Sequence, residues 1–225
     1  MKDRLERAIA HQGLASRREA KALIVARAVS VNGTVVIEPG FAVDTERDTI
    51  DVAGLAPKES VLVYKPRGVE TTTTSSGTRD LHKILPTLKH LSPIGRLDKD
   101  SEGLIIMSND GTLTKALTGE DSHVGKTYLV TVRENIPDAA LERMRTGIKL
   151  DRVMTKPAKV SRKSRVSFLV TLYEGRKHQI RRMCDACKLT IESLVRVGIG
   201  HIEIGAMKSG QVKKLTSQDI AQLKH

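Results

Sequence analysis

Tryptophan is absent from the 225 residues, and phenylalanine and tyrosine number only two and three. That excludes a broad aromatic platform on which many successive bases could stack. Each tyrosine therefore needs its own explanation. Cysteine is as scarce: Cys184 and Cys187 alone do not frame a disulfide-stapled secreted domain, so the cytoplasm is the expected compartment. No stretch approaches the roughly 20 apolar residues of a membrane span. The start, Met1-Lys2-Asp3-Arg4-Leu5-Glu6-Arg7, is charged and lacks a signal-type apolar region.

Positive charge is what the chain has in excess: 38 Lys and Arg against 26 Asp and Glu, a net +12. A basic cytoplasmic chain of this kind points first to a polyanion, nucleic acid above all. With 39% hydrophobic residues the chain can bury a core, and its length suits one or two domains. The charge is uneven. Residues 1–57 hold eight basic and eight acidic residues, whereas residues 58–225 hold thirty and eighteen. Within the first segment, residues 1–27 carry seven of the eight basic side chains. A neutral module with one basic face fits a small docking domain, and Ala56-Pro57-Lys58-Glu59 reads as its linker.

The first module reads as helix, helix, hairpin. Leu5, Ala8 and Ile9 mark a helical stripe closed by Gly13. Ser16-Arg17-Arg18-Glu19 is a capping box. The helix it opens would bury Ala20, Leu23, Ile24 and Ala28. Val29-Ser30-Val31 and Thr34-Val35-Val36 flank Asn32-Gly33, a hairpin signal. Arg17, Arg18, Lys21 and Arg27, at the helix start and along its face, could track a phosphate backbone or form a plain solvated face.

The second segment mixes strands and helices, an α+β pattern around one mixed sheet. Strands are expected at Val61–Tyr64, Gly103–Met107, Lys126–Arg133, Val166–Tyr173 and Ile191–Ile204, the last broken by Gly198 and Gly200. Thr71–Gly77 reads as a polar loop, and Asn109-Asp110-Gly111 as a turn. Helices are expected from Asp80 to Leu85, from Pro137 through Arg145 with Gly147 closing it, over the basic stretch Arg176–Ala186, and after a Ser217 cap.

Several site types fit poorly. Cys184-Asp185-Ala186-Cys187 stands alone, without the further ligands a structural zinc needs, and it ends a basic helix instead of opening one. A reduced, partly buried pair is the expectation. Gly200 to Gly205 begins like a phosphate loop, but Ala206-Met207 stand where Lys and Ser or Thr are required. The seven His show no metal-binding pair. Gly95 to Gly103 is more informative. Arg96, Asp98, Lys99, Asp100 and Glu102 crowd a loop that feeds a buried strand, where a scaffold presents reactive groups. A solvated turn with local ion pairs is the alternative reading.

Gly95-Arg96-Leu97-Asp98-Lys99-Asp100-Ser101-Glu102-Gly103-Leu104, ending in Asn109-Asp110-Gly111, resembles the catalytic signature of pseudouridine synthases. Lys126-Thr127-Tyr128-Leu129-Val130 resembles the strand bearing their active-site tyrosine. Glu174-Gly175-Arg176-Lys177-His178-Gln179-Ile180-Arg181-Arg182-Met183 is similar to their basic-helix motif. Leu194-Val195-Arg196-Val197-Gly198 is similar to their leucine strand, and Lys65-Pro66-Arg67-Gly68 sits where the family has it. Arg4-Leu5, Gly13 to Ala20 and Val31-Asn32-Gly33 resemble the S4 RNA-binding module. Together these identify the chain as similar to bacterial S4-domain rRNA pseudouridine synthases of the RsuA/RluB/RluF type, closest to the large-subunit enzymes. Two departures are Ser92-Pro93, in place of a common aromatic, and Cys187-Lys188-Leu189, in place of a Gly turn.

The resemblance implies an S4-like module over 1–57 and a catalytic domain over 58–225, the latter on a mixed, mostly antiparallel sheet. It implies isomerisation of a uridine in ribosomal RNA, without cofactor or metal, by a cytoplasmic monomer. Asp98 would be the nucleophile or base at the glycosidic bond, with Arg181 as its cationic partner, a guanidinium able to hold both oxygens. Tyr128 would stack on the base and take the C5 proton. Leu194 would wall the pocket, and Arg96 would help fill the space of a flipped base. RNA contacts are expected from Arg4, Arg17, Arg18, Lys21, Lys65, Arg67, Lys126, Arg176, Lys177 and Arg182. The alternatives are a non-catalytic S4-type RNA-binding or assembly protein, and a CxxC redox protein.

Overall fold

The computed structural model describes residues 2–72, 79–119 and 122–224. The polar loop expected at Thr71–Gly77 lies mostly outside them. The first module runs β1 (Lys2–Arg4), α1 (Leu5–His11), α2 (Arg17–Val25), β2 (Val29–Val31), β3 (Thr34–Val35), β4 (Ala42–Asp44) and β5 (Ile50–Val52). Leu5, Ala8, Ile9, Ala20 and Ile24 are buried from solvent and, with Val29 and Val43, form a core confined to this module. Ser16 and Glu19 cap α2 reciprocally, and Asn32 and Gly33 both take positive φ between β2 and β3, as a tight hairpin requires.

One expectation fails here. Helix α2 stops at Val25, and Arg27 lies beyond it in the left-handed region at φ 62°. The amide of Arg27 donates to the Ile24 carbonyl and that of Ala28 to Leu23, a Schellman ending. Arg27 is therefore no part of the helix face, and Ala28 is only half-buried.

The second part continues β6 (Ser60–Lys65), α3 (Leu81–Ile84), a 3-10 turn (Pro86–Leu88), β7 (Ser92–Ile94), β8 (Glu102–Ser108) and α4 (Gly111–Thr118). It goes on through β9 (Lys126–Val132), α5 (Asp138–Thr146), β10 (Lys149–Leu150), β11 (Val153–Met154), β12 (Lys159–Arg162), β13 (Ser167–Leu172) and α6 (Gln179–Ala186). It ends with β14 (Ile191–Ile199), β15 (Ile202–Glu203), β16 (Val212–Lys214) and α7 (Ser217–Lys224). Among the described residues one sheet has the order β12-β13-β9-β14-β8-β6-β16, with β7 on β8 and β15 on β14. Its pairs are antiparallel except β14 with β8, which run parallel through Val195↔Glu102 and Arg196↔Gly103. Gly103 takes φ 107°, and a Cβ there would come within 2.6 Å of the Arg196 amide nitrogen. Glycine is thus required where these two strands meet.

Three smaller readings change. Asn109-Asp110-Gly111 does not merely turn the chain: the Asp110 carboxylate accepts from the Thr112 amide and opens α4. Gly198 lies inside β14, where the pairing with β9 shifts register after Arg196, and the strand ends only at Ile199, before Gly200. The cap of α7 is Thr216, whose hydroxyl accepts from the Asp219 amide while the Asp219 carboxylate accepts from the Thr216 amide, instead of Ser217. The two parts meet at α4. The methyl of Thr112 packs at Gly13, and the carbonyls of Ala10 and Ala15 lie close to Gly111.

Candidate active site

The loop before β8 is anchored from both sides. The Thr71 hydroxyl donates to the Leu97 carbonyl at 2.8 Å and accepts from the Leu97 amide. The Ser101 amide donates to the Asp98 carbonyl. Lys65 is wholly buried, and its ammonium donates to the carbonyls of Val69, Pro66 and Lys99. Burial pulls that ammonium down to about 8, with Asp98 and Glu102 working against it. Lys65 thus knits two loops from inside. The expected contact with RNA is corrected, because no part of this side chain reaches solvent.

Asp98 is presented at the rim of a cleft of about 820 Å³, with Arg96, Tyr128, Arg181 and Leu194 also in its lining. The Arg181 Nε lies 3.5 Å from one Asp98 oxygen, and the His178 Nε2 lies 3.5 Å from the other. The Arg181 Nη2 donates to the Ser101 hydroxyl at 3.1 Å. The expected two-oxygen clamp by one guanidinium is therefore replaced by two cationic or polar partners, one per oxygen. The Asp98 side chain keeps 36% of its surface exposed, so its desolvation would need a bound base. The five residues the family signature put in this site are brought together.

Strand pairing explains how. Tyr128 on β9 stands opposite Arg196 on β14, and Leu194 two residues earlier stands opposite Val130. Side chains two apart share a face of a strand, so Leu194 and Arg196 both look into the cleft beside Tyr128. Lys126, on the same face of β9, is half-buried and donates to the Leu117 carbonyl at the end of α4. Burial lowers its ammonium to about 8, helped by the charge of Arg196.

The loop ahead of α6 is folded by its own hydrogen bonds. Buried Gln179 donates to Glu174 and accepts from the Arg176 amide. The Arg176 guanidinium holds Glu174 and the carbonyls of Val153 and Met154. The basic helix accordingly begins at Gln179, later than Arg176, and His178 precedes it in a left-handed conformation at φ 52°. Among the predicted RNA contacts, Arg176 is committed to this framework and Arg182 pairs with Asp151 at 2.6 Å. Lys177 is exposed on the cleft lining. Arg67 is exposed outside that lining, and Arg4, Arg17, Arg18 and Lys21 are exposed on the first module.

The sequence reading missed His178, Ser101 and Arg196 as parts of the site. All three lie inside the motifs it singled out, but Arg196 meets Tyr128 only through strand register, and His178 and Ser101 meet Asp98 and Arg181 only where two loops fold together. Cys184 is buried and Cys187 half-buried, both as free thiols. Burial pushes the Cys184 thiol up to about 12, the opposite of a reactive thiolate. Among the described residues no group of three His, Cys, Asp or Glu side chains is arranged to hold a metal.

Residues 59–186 match the family described as RNA pseudouridylate synthase, and residues 3–50 match the S4 domain. The chain belongs to the RNA pseudouridine synthase family. It is 35% identical to the ribosomal large subunit pseudouridine synthase B of Bacillus subtilis, covering 99% of this chain and 96% of that one. It is 31% identical to the dual-specificity RNA pseudouridine synthase RluF of Escherichia coli O6:H1, over 98% of this chain and 78% of the relative. A solved pseudouridylate synthase structure superposes with a TM-score of 0.75 at 27% identity, covering 98% and 99% of the two chains. As a pseudouridine synthase the protein is an isomerase. Among the described residues, no helix is long and apolar enough to cross a membrane.

Proposed function

We propose that this synthase converts a uridine of large-subunit ribosomal RNA to pseudouridine, with Asp98 opening the glycosidic bond. The observation that carries this reading is the placement of Asp98 in the cleft, between Arg181 and His178, in a chain aligned end to end with a large-subunit synthase. A carboxylate there can attack ribose C1′ or take a proton from C2′. Either way the base is released, turned and rejoined through C5. Tyr128 stacks on the base and accepts the C5 proton, while Leu194 closes one wall against water. Arg96, exposed on the rim, occupies the space of the flipped nucleotide. The module over 1–57 docks the RNA and the domain over 58–225 performs the reaction. One chain supplies every group named here, which supports action as a monomer.

Asp98→Asn should abolish pseudouridine formation while RNA affinity stays within a few fold, since the amide keeps the shape and loses the nucleophile. Residual turnover near the parent rate would move the role to another carboxylate, Asp100 first. Mapping pseudouridines in ribosomal RNA from cells with and without the gene identifies the target. An unchanged large-subunit map would refute the substrate proposed.

A further inference from the structure

Arg196 has no role in the chemistry so far, yet it is 4% exposed in the wall of the cleft. Its Nε donates to the Leu104 carbonyl at 2.5 Å. Its Nη1 donates to the Tyr128 hydroxyl at 3.5 Å, and the guanidinium carbon lies 6.0 Å from the centre of that ring. Its Nη2 is buried without any hydrogen-bond partner. No carboxylate pairs with it among the described residues. A buried cation with an unsatisfied donor is costly to keep. A structural arginine would be expected to spend that donor on a carbonyl or a carboxylate, as Arg176 and Arg162 do here.

The reaction supplies a transient partner. When the C1′–N1 bond breaks, its electron pair leaves with the base, and the detached uracil is an anion with its charge spread over N1, O2 and O4. When C5 bonds to C1′, that pair returns to the sugar carbon. The C5 proton is then lost to a base, and N1 takes up a proton. Negative charge thus appears beside Tyr128 only between the two bond changes. A fixed cation is most effective against charge that develops during reaction in a site closed to water.

We propose that Arg196, a residue of the cleft wall, is a further catalytic residue, whose guanidinium charge beside Tyr128 stabilises the uracil anion in the interval between its detachment and its return. This rests on the reading of Asp98 and Tyr128 above. Its geometric basis is separate: the cross-strand pairing of Arg196 with Tyr128 and the approach permitted by Gly103.

The test compares single-turnover rearrangement of RNA carrying uridine with RNA carrying 5-fluorouridine at the target. Fluorine withdraws electron density and stabilises the detached base, so that substrate needs less help from the protein. Arg196→Gln should lose about 10²–10³-fold on uridine, with RNA affinity within a few fold, and at least tenfold less on 5-fluorouridine. Arg196→Lys, which keeps the charge without the fork, should recover part of the uridine rate. Equal losses on the two substrates, or a parent-like rate on uridine, would overturn the proposal. Should Arg196→Gln fail to fold in a thermal melt, Arg196→Lys carries the same comparison: a smaller loss on 5-fluorouridine supports the role, and equal losses overturn it. Asp98→Asn, run alongside, should be inactive on both substrates. Activity there would overturn the Asp98 assignment and leave the Arg196 comparison readable.

Discussion

Tyr128 brings two groups to the cleft, a ring and a hydroxyl, and a single substitution separates them. Tyr128→Phe keeps the stacking face, worth about 1–3 kcal/mol per base, so RNA binding should hold within a few fold. It removes the hydroxyl that accepts from Arg196. General acid–base assistance typically contributes about 10²–10⁴-fold, and turnover should fall within that range. RNA carrying 5-fluorouridine has no C5 proton to lose, so the variant should rearrange it at close to the parent rate. Full activity on ordinary RNA would leave the residue as a stacking platform, with the proton going to another group or to water. At this scale the motif residues were legible because each sits in a short, ordered signature. Lys65 was not. Four apolar residues precede it, and a lysine after such a run reads as the strand's exit to solvent. The carbonyls of Pro66, Val69 and Lys99 explain its burial.

At the scale of elements, the corner between β8 and α4 gathers two lysines and a helix start around one buried carboxylate. The Asp110 carboxylate is 4% exposed and accepts from the Thr112 amide and hydroxyl. The ammonium groups of Lys224, at 2.8 Å, and Lys58, at 3.4 Å, flank it. Burial opposes its ionisation, but the Lys224 and Thr112 contacts win and hold it at about 2. A folded-state value below the unfolded one stabilises the protein above the unfolded value and is lost as pH falls through the folded value. From about pH 4 down to about pH 2 this corner should therefore surrender on the order of 2 kcal/mol. Asp110→Asn should remove much of that acid sensitivity and lower stability by a similar amount at pH 7, as read from denaturant midpoints at both pH values. Helix ends show why boundaries were harder to read than interiors. Helices α1, α2 and α6 all end in Schellman hydrogen bonds, with Gly13, Arg27 and Lys188 at φ 70°, 62° and 58°. Only the first carries the glycine that announces such an ending. Lys188→Gly should raise stability by about 1 kcal/mol, because the left-handed backbone costs a side chain that much. A lower denaturant midpoint would mean that the lysine stem contributes packing beyond its backbone cost.

On the scale of the whole molecule, the described residues form one core in the first module, three apolar clusters around the large sheet, and a seam between the two parts. The first module closes its own core, and its touch on α4 runs through Gly13 and Thr112. The connecting stretch is tied down as well: the Asn109 side chain accepts from the Glu59 amide and donates to the Pro57 carbonyl. Charge asymmetry made the two-part organisation legible, since polar balance changes where the chain leaves β5. The seam was not legible, because it depends on a glycine at a helix end meeting a threonine about a hundred residues away. Arg17, Arg18 and Lys21 stand at the start of α2, exposed and without side-chain partners among the described residues. If they meet phosphates, each contact releases counterions on binding, and the logarithm of affinity falls with the logarithm of salt by about 0.7–0.9 per contact. Replacing all three with alanine should therefore flatten the salt dependence of RNA binding by about two units of slope and raise KM. The rate at saturating RNA should stay close to the parent value, because the cleft around Asp98 is untouched. A salt slope equal to the parent's would assign this helix to a different contact, and a fall in the saturating rate alone would mean that the module orients the target base after docking.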